Sequence, residues 1–142
     1  MAEDPVALVR RFVDAVNAHD IDAAAACLAP GYTHHSGAGK LDVATFRYAL
    51  GRYLTSFPDL RYDVDELGPL VDGRTVAARW ILRGTHLGRA FGADPTGKAW
   101  ATPGLSLHRV QDSLNVEDWE YGDDMAMFET LGSTLVPPAN AG

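Results

Sequence analysis

Apolar side chains change their spacing along this chain, from a helical period near the start to alternation in the later part. Over residues 5–18 they recur every three or four positions, which is the spacing of one helix face. Asp4 is a suitable N-cap for this helix, and Pro5 suits its first position. The pattern therefore predicts an amphipathic first helix.

Two further helices are predicted, a short one over residues 21–28 and a longer one from about residue 41 to 57. Residues 32–35, which lie between these helices, are predicted to form a short first strand, and residues 36–39 are predicted to form a loop. Three helices therefore precede most of the strands.

Apolar and polar residues alternate in the remainder of the chain, which predicts antiparallel strands joined by turns. The Asp72-Gly73 dipeptide is a strong hairpin signal. The predicted strands cover residues 60–65, 74–85, 99–110 and 116–123, and a short closing helix covers residues 125–131. Residues from about 133 onward are expected to form a disordered tail.

Helices followed by a run of strands are typical of the α+β class. With 142 residues, of which 46% are hydrophobic and 22% charged, the chain is expected to be one domain, residues 1–142, with one core. A long bent sheet wrapped on the three N-terminal helices would form a cone, and the interior of that cone would be a pocket.

The composition argues against several kinds of partner. The formal net charge of −7 disfavours nucleic acid and anionic membranes, and no apolar run approaches the ~20 residues of a membrane helix. The one cysteine, Cys27, cannot form an internal disulfide and is expected to fill the core. We therefore expect a cytoplasmic protein that binds neither nucleic acid nor membranes.

The last predicted strand carries the most distinctive chemistry of the chain. Because side chains alternate on a strand, Trp119, Tyr121 and Asp123 share one face, while Asp118 and Glu120 share the other. If the aromatic face points inward, Asp123 lies at the edge of an apolar cavity, where desolvation would raise its pKa. The alternation therefore predicts Asp123 as a general base.

Several motifs along the chain together resemble one protein family. They are Tyr32 with His35, Phe57-Pro58-Asp59-Leu60, the stretches from Asp72 to Trp80 and from Gly84 to Gly88, Pro95-Thr96-Gly97-Lys98, and Glu117-Asp118-Trp119 with Asp123 and Leu131-Gly132. Their order is similar to that of the SnoaL-like polyketide cyclases, which belong to the nuclear-transport-factor-2-like superfamily. The resemblance covers roughly residues 5–132. It implies an α+β cone in which three N-terminal helices pack on a curved, mixed but mainly antiparallel sheet around an apolar pocket.

The resemblance also implies a reaction and its residues. The catalytic acid/base aspartate of the family corresponds to Asp123, the pocket histidine on the preceding strand to His108, and the first-strand histidine to His35. The implied chemistry needs no cofactor: the aspartate removes a proton next to a carbonyl, and the enolate closes a ring by intramolecular aldol condensation. The expected substrate is an apolar, polycyclic aromatic carbonyl compound.

A flat aromatic substrate requires apolar walls. The residues expected to line the pocket are Phe12, Phe46, Tyr53, Trp80, His86, Trp119 and Tyr121. If the first strand is regular, His34 and His35 point to opposite faces, so only one of them can reach the pocket; the resemblance favours His35.

Other functions remain open from the sequence. A hydroxylase, an isomerase or an epoxide hydrolase could use the same pocket, and so could a non-catalytic binding protein. A metal site formed by His35, His86, His108 and Asp123 is not expected, because these residues lack the local spacing of metal ligands. The outer face of an open sheet could be covered by a second copy, so a homodimer or higher homo-oligomer is expected.

Overall fold

The computed structural model describes residues 2–37 and 39–132. The helices are α1 (Pro5–Asn17), α2 (Ile21–Ala26), α3 (Val43–Ser56) and α4 (Asp124–Thr130). The strands are β1 (Leu28–Ser36), β2 (Gly39–Leu41), β3 (Arg61–Pro69), β4 (Thr75–Thr85), β5 (Ala99–Gln111) and β6 (Leu114–Gly122). The tail expected from about residue 133 lies outside the described residues.

All six strands form one sheet in the order β2-β1-β6-β5-β4-β3. Neighbouring strands are antiparallel except β1 and β6, which are parallel. The predicted α+β class and the mixed, mainly antiparallel sheet are therefore confirmed. The last strand lies inside the sheet, between β1 and β5, so its side chains face neighbours on both sides.

The predicted elements need few corrections. Residues 39–41 form strand β2 and pair with β1. Residue 39 was predicted to lie in a loop, and residue 41 at the start of the third helix. Helix α3 begins at Val43, later than predicted, because the Asp42 side chain accepts a hydrogen bond from the Thr45 backbone and the Thr45 side chain accepts one from the Asp42 backbone. This reciprocal pair satisfies the exposed N–H groups of the first turn and sets the start of the helix.

The core lies between helix α1 and the inner face of the sheet. Helix α1 contacts strands β3, β4, β5 and β6. It buries Leu8, Val9, Phe12, Ala15 and Val16. Cys27 is fully buried, as expected, and its sulfur accepts a hydrogen bond from Arg11 Nη1 at 3.3 Å. None of the helices in the described part of the chain is long and apolar enough to cross a membrane.

A tryptophan covers a pair of glycines at the centre of the inner face. Gly104 and Gly122 are opposite each other on β5 and β6. A Cβ atom on Gly104 would lie 2.3 Å from Cη2 of Trp80, and one on Gly122 would lie 3.4 Å from the same atom. The indole can therefore lie against the backbone of β5 only because Gly104 carries no side chain, whereas a Cβ at Gly122 would be in ordinary contact with the ring.

We predict that Gly104→Ala destabilises the protein by about 1–3 kcal/mol, because the new methyl group overlaps the Trp80 ring and the Tyr121 carbonyl oxygen. Gly68→Ala is the matched control: Gly68 also lies in a strand, and a Cβ there has nothing within 4 Å. Urea unfolding of both variants measures the difference. Equal stabilities would contradict the packing of Trp80 on Gly104.

Candidate functional site

Strand β6 has the opposite orientation from the one predicted. Asp118 is buried on the inner face at 2% exposure, whereas Tyr121 is 65% exposed. Trp119 and Asp123 also lie on the outside. The prediction that the aromatic face points inward is therefore wrong. The physical reason is that hydrogen-bond donors inside the fold contact the acidic face. These hydrogen bonds offset the free-energy cost of burying its carboxylates.

Asp118 is the centre of a buried polar cluster. Its Oδ2 accepts hydrogen bonds from Tyr32 Oη at 2.7 Å and Asn115 Nδ2 at 2.9 Å. Its Oδ1 lies 2.5 Å from His34 Nδ1, and His108 Nδ1 lies 3.5 Å from Oδ2. Donors from β1, β5 and β6 thus surround a single carboxylate.

The neighbours of Asp118 keep it ionised. Burial by itself would raise its pKa, but hydrogen bonds and charges from His108 and His34 outweigh that effect and hold the pKa well below its usual range. Burial conversely lowers the pKa of His34, yet its bond to Asp118 and the charge of Glu120 raise it overall. Asp118 is therefore suited to orient His34 rather than to exchange protons.

Glu120 is the more accessible carboxylate of the inner face, with 26% of its side chain exposed. Its Oε1 accepts a hydrogen bond from Tyr62 Oη at 2.6 Å, and its Oε2 lies 3.6 Å from His34 Nε2. Burial raises the pKa of Glu120 above its ordinary value, against the opposing effects of His34 and Tyr62. A carboxylate with a raised pKa and some access is a better proton acceptor than an ordinary glutamate, so Glu120 is the candidate base of the inner face.

His108 lies on the inner face, as predicted, and connects the cluster to Trp80. Its Nε2 is 2.8 Å from Ser106 Oγ, which accepts a hydrogen bond from Trp80 Nε1 at 3.1 Å. Its Nδ1 is 3.3 Å from Asn115 Nδ2. The histidine is therefore held on both sides by neutral polar groups and the nearby Asp118.

Aromatic rings from two helices cover the cluster. Phe46 of α3 packs 5.8 Å from His34 and 5.9 Å from both Tyr32 and Phe12, measured between ring centroids. Phe12 of α1 lies 6.1 Å from His108. Phe12 and Phe46 were both predicted as pocket residues, and both contact the polar groups of the inner face.

Tyr53 and Trp80, two other predicted pocket residues, also lie inside. Trp80 is 3% exposed and packs edge to face with Tyr62 at 4.9 Å. Tyr53 contacts Phe57 at 5.8 Å. Burial, followed by the charges of Asp124 and Glu120, raises the pKa of Tyr53 to about 12, so its hydroxyl stays protonated near Glu120.

His35, Trp119 and Tyr121 do not line the interior, contrary to the prediction. His35 stacks on Trp119 with ring centroids 5.3 Å apart, and its Nε2 is 2.8 Å from Glu117. The guanidinium carbon of Arg109 lies 5.0 Å from the ring centroid of Trp119. Of the two adjacent histidines, His34 points inward, because β1 pairs it directly with Asp118.

Asp123 occupies the start of α4 and is exposed. Its Oδ1 accepts a hydrogen bond from the Ala126 backbone at 3.4 Å, so Asp123 is the N-cap of α4. His86 is fully buried beside Phe57. In residues 2–37 and 39–132, no group of three His, Cys, Asp or Glu side chains could hold a metal ion.

A small cleft lies behind Tyr62, on the side of α1. Its volume is about 140 Å³. It is lined by Arg10, Val13, Asp14, Asn17, Arg61, Tyr62, Val64 and Leu67. Tyr62 thus lines this cleft and also donates its hydroxyl hydrogen bond to Glu120.

Sequence reasoning missed six residues of the polar cluster. They are Tyr32, His34, Tyr62, Asn115, Asp118 and Glu120. A signal was present, since Asp118 and Glu120 place two carboxylates and no aromatic residue on one face of the strand. That pattern is typical of a solvated face, and only their contacts with β1, β3 and β5 show otherwise.

Comparison with known proteins gives the same fold. AclR from Streptomyces galilaeus, a proposed hydroxylase, is 26% identical with a TM-score of 0.83 over 95% of this chain and 85% of its own. IdmH from Streptomyces antibioticus, a proposed polyketide cyclase, is 26% identical with a TM-score of 0.80 over 92% of this chain and 100% of its own. These neighbours and the observed architecture define the nuclear-transport-factor-2-like cone.

The family follows from the sequence match. The model of the SnoaL-like polyketide cyclase family matches residues 7–131, so the chain belongs to that family. A proposed polyketide cyclase from Xanthomonas campestris pv. campestris, at 22% identity and a TM-score of 0.79 over 90% of this chain and 96% of its own, supports the fold alone. No curated protein sequence matches this chain.

We predict that Asp118→Asn destabilises the protein by about 3 kcal/mol near neutral pH, because it leaves buried donors facing an amide. Folding lowers the pKa of Asp118, so the ionised carboxylate contributes to the free energy of unfolding. This contribution is complete above the ordinary Asp pKa of about 3.9, and it is lost as the pH falls through the pKa of the folded state. The difference from wild type should therefore shrink in acid.

Asp65→Asn is the control for this measurement. Asp65 is half exposed and paired with Arg79, so we expect a loss of about 0.5 kcal/mol or less. Urea unfolding at several pH values compares the three proteins. If Asp118→Asn is as stable as Asp65→Asn, the central position of Asp118 is contradicted.

Proposed function

We propose that this protein is a polyketide cyclase-type enzyme that needs no cofactor and closes a ring on a polycyclic aromatic carbonyl substrate by intramolecular aldol condensation. The observation that carries the proposal is the pairing of Glu120, whose pKa is raised, with His34, which the ionised Asp118 holds in place. Two carboxylates with pKa values pushed in opposite directions are typical of acid–base catalysis.

The proposed reaction begins with Glu120 as the base. Its carboxylate removes a C–H proton next to a carbonyl group, and the electron pair forms an enolate. The enolate carbon attacks a ketone carbon of the same molecule, a C–C bond forms, and the ketone oxygen becomes an alkoxide. The protonated Glu120 returns its proton to this alkoxide, so the enzyme ends in its starting state. His34, with Nε2 directed at Glu120, supports the ionised form of the base.

A hydroxylase is the second candidate, because the chain is as similar to AclR as to IdmH in sequence identity, at 26% for both. The two reactions differ in the mass of the product. Aldol closure leaves the mass unchanged, or lowers it by one water after dehydration, whereas hydroxylation adds one oxygen.

We predict that Glu120→Gln lowers turnover of polycyclic aromatic keto esters by about 100-fold or more, which is the usual contribution of a general base. Glu117→Gln is the matched control, because Glu117 lies on the outer face of the same strand and bonds His35. Product formation followed by mass spectrometry gives both the rate and the reaction type.

Asp123→Asn tests the carboxylate that the sequence favoured. A large rate loss in this variant, together with full activity in Glu120→Gln, would overturn the assignment of the base to Glu120. Full activity in both would overturn the acid–base mechanism itself.

We also propose that a second copy of the chain covers the outer face of the sheet. An outer patch is formed by Leu105, Leu107, Trp119 and Tyr121, which pair across β5 and β6. Leu105 is 56% exposed and Tyr121 is 65% exposed. An ion pair flanks this outer patch on each side. Arg109 pairs with Glu117 on one side, and Arg79 pairs with Asp65 on the other. Because this border carries both positive and negative side chains, opposite charges of two copies can face each other across a two-fold axis.

We predict that Leu105→Asp converts a homodimer to a monomer, because the two-fold axis places two new charges in one apolar contact. Val71→Asp is the control, since Val71 is fully exposed in the turn between β3 and β4 and lies away from the outer patch. Sedimentation velocity at micromolar concentration measures the mass. A wild-type monomer, or a Leu105→Asp variant that remains dimeric, would contradict the proposal.

A further inference from the structure

Three buried polar atoms at one end of the inner face have no hydrogen-bond partner among the described residues. They are His86 Nε2, Trp100 Nε1 and Thr102 Oγ1. His86 is 0% exposed, Thr102 is 2% exposed and Trp100 is 4% exposed. A buried polar atom without a partner is costly, so three of them together require an explanation.

All three atoms can donate a hydrogen bond. An indole N–H is a donor only, and a threonine hydroxyl carries one proton. The backbone N–H of Thr96 donates to His86 Nδ1 at 3.3 Å, and Thr96 Oγ1 lies 3.1 Å from the same nitrogen; a neutral ring that accepts at Nδ1 carries its proton on Nε2. This end of the inner face is therefore a group of donors that lacks an acceptor, and we name His86, Trp100 and Thr102 the donor cluster.

The donor cluster is held in place by its surroundings. The rings of Trp100 and His86 both pack on Phe57, with centroids 4.9 Å and 6.0 Å away. Trp100 pairs with Gly84 on β4, where a Cβ would lie 2.9 Å from the indole Cζ2. Because the indole has no room to move toward the sheet, its N–H is preorganised, which favours binding.

The donor cluster and the acid–base pair lie on the same side of the sheet. Thr102 and Ser106 are inner residues of β5, and Ser106 is opposite Glu120 on β6. Ser106 is four positions after Thr102, which corresponds to about 13 Å along a strand. The Gly104–Gly122 pair lies between them, with the Trp80 ring over Gly104. The inner face thus has a donor end, an aromatic middle and an acid–base end.

We propose that the donor cluster binds an oxygen acceptor, a carbonyl or carboxylate, at the end of a flat aromatic ligand that is remote from Glu120. The assignment of the other end of the ligand to Glu120 rests on the proposed function, whereas the donor cluster is independent of the reaction. An acceptor at this position would satisfy the unpartnered donors. The donor cluster therefore selects ligands that carry an oxygen acceptor at the end remote from the reacting carbon.

The test compares two probes, anthraquinone-2-carboxylate and anthracene-2-carboxylate, which differ only in the two ring carbonyls. Titration calorimetry measures their affinity for the wild type and for the Trp100→Phe, Thr102→Val and Thr102→Ser variants. Trp119→Phe is the matched control, because it removes an indole N–H from the outer face. Circular dichroism confirms that each variant is folded, and Thr102→Val remains as an isosteric test if Trp100→Phe does not fold.

We expect Trp100→Phe and Thr102→Val each to weaken binding about three- to tenfold, the range of one net hydrogen bond, while Thr102→Ser and Trp119→Phe bind as the wild type does. A loss confined to the quinone identifies a ring carbonyl as the acceptor, and a loss for both probes identifies the carboxylate. Unchanged affinity in folded Trp100→Phe and Thr102→Val, or no binding of either probe to the wild type, would overturn the proposal. The proposed reaction is tested separately, by the turnover rate of Glu120→Gln. Because the titration measures only binding, the two proposals can fail independently.

Discussion

The structure depends on the pairing of one buried negative charge, that of Asp118. A carboxylate that is 2% exposed requires donors on every side, because a buried charge without partners would cost several kcal/mol. The donors come from three strands, and the parallel pairing of β1 with β6 places His34 directly opposite Asp118. This pairing brings an early and a late strand of the chain together inside the sheet. The same contact thus determines the position of β6, the face that β6 turns inward and the orientation of His34.

The chemistry of the site follows from this arrangement. Since Asp118 is surrounded by donors and its pKa is lowered, it is a poor proton carrier and a good anchor for a histidine. Glu120, two residues further, has one hydrogen bond from Tyr62, a raised pKa and partial access. Two carboxylates on one strand face thereby acquire different properties from their different neighbours. In a SnoaL-like polyketide cyclase, this division of roles supports the proposal that the anchor and the base are separate residues.

The two faces of the sheet are specialised in different ways. The inner face combines polar groups with rings that lie close to the backbone, and the absence of a side chain at Gly104 allows Trp80 to pack against the backbone there. The outer face carries the stack of His35 on Trp119 and the exposed Leu105 and Tyr121. Aromatic content therefore does not distinguish the inner face of the sheet from its outer face. What distinguishes them is whether polar partners from other strands are available at the same depth.

The sequence alone determined the order of the elements, the α+β class and the family, because periodicity, caps and turns are local and survive without knowledge of contacts. It also identified His108, Phe12 and Phe46 as inner residues. It could not decide which face of β6 points inward, since alternation gives the two sets of side chains but not their direction. That single choice reversed the roles expected of Asp123, His35, Trp119 and Tyr121. Only the tertiary structure decided it, because the burial of Asp118 becomes favourable only when Tyr32, His34 and His108, which lie far apart in the sequence or on other strands, surround it.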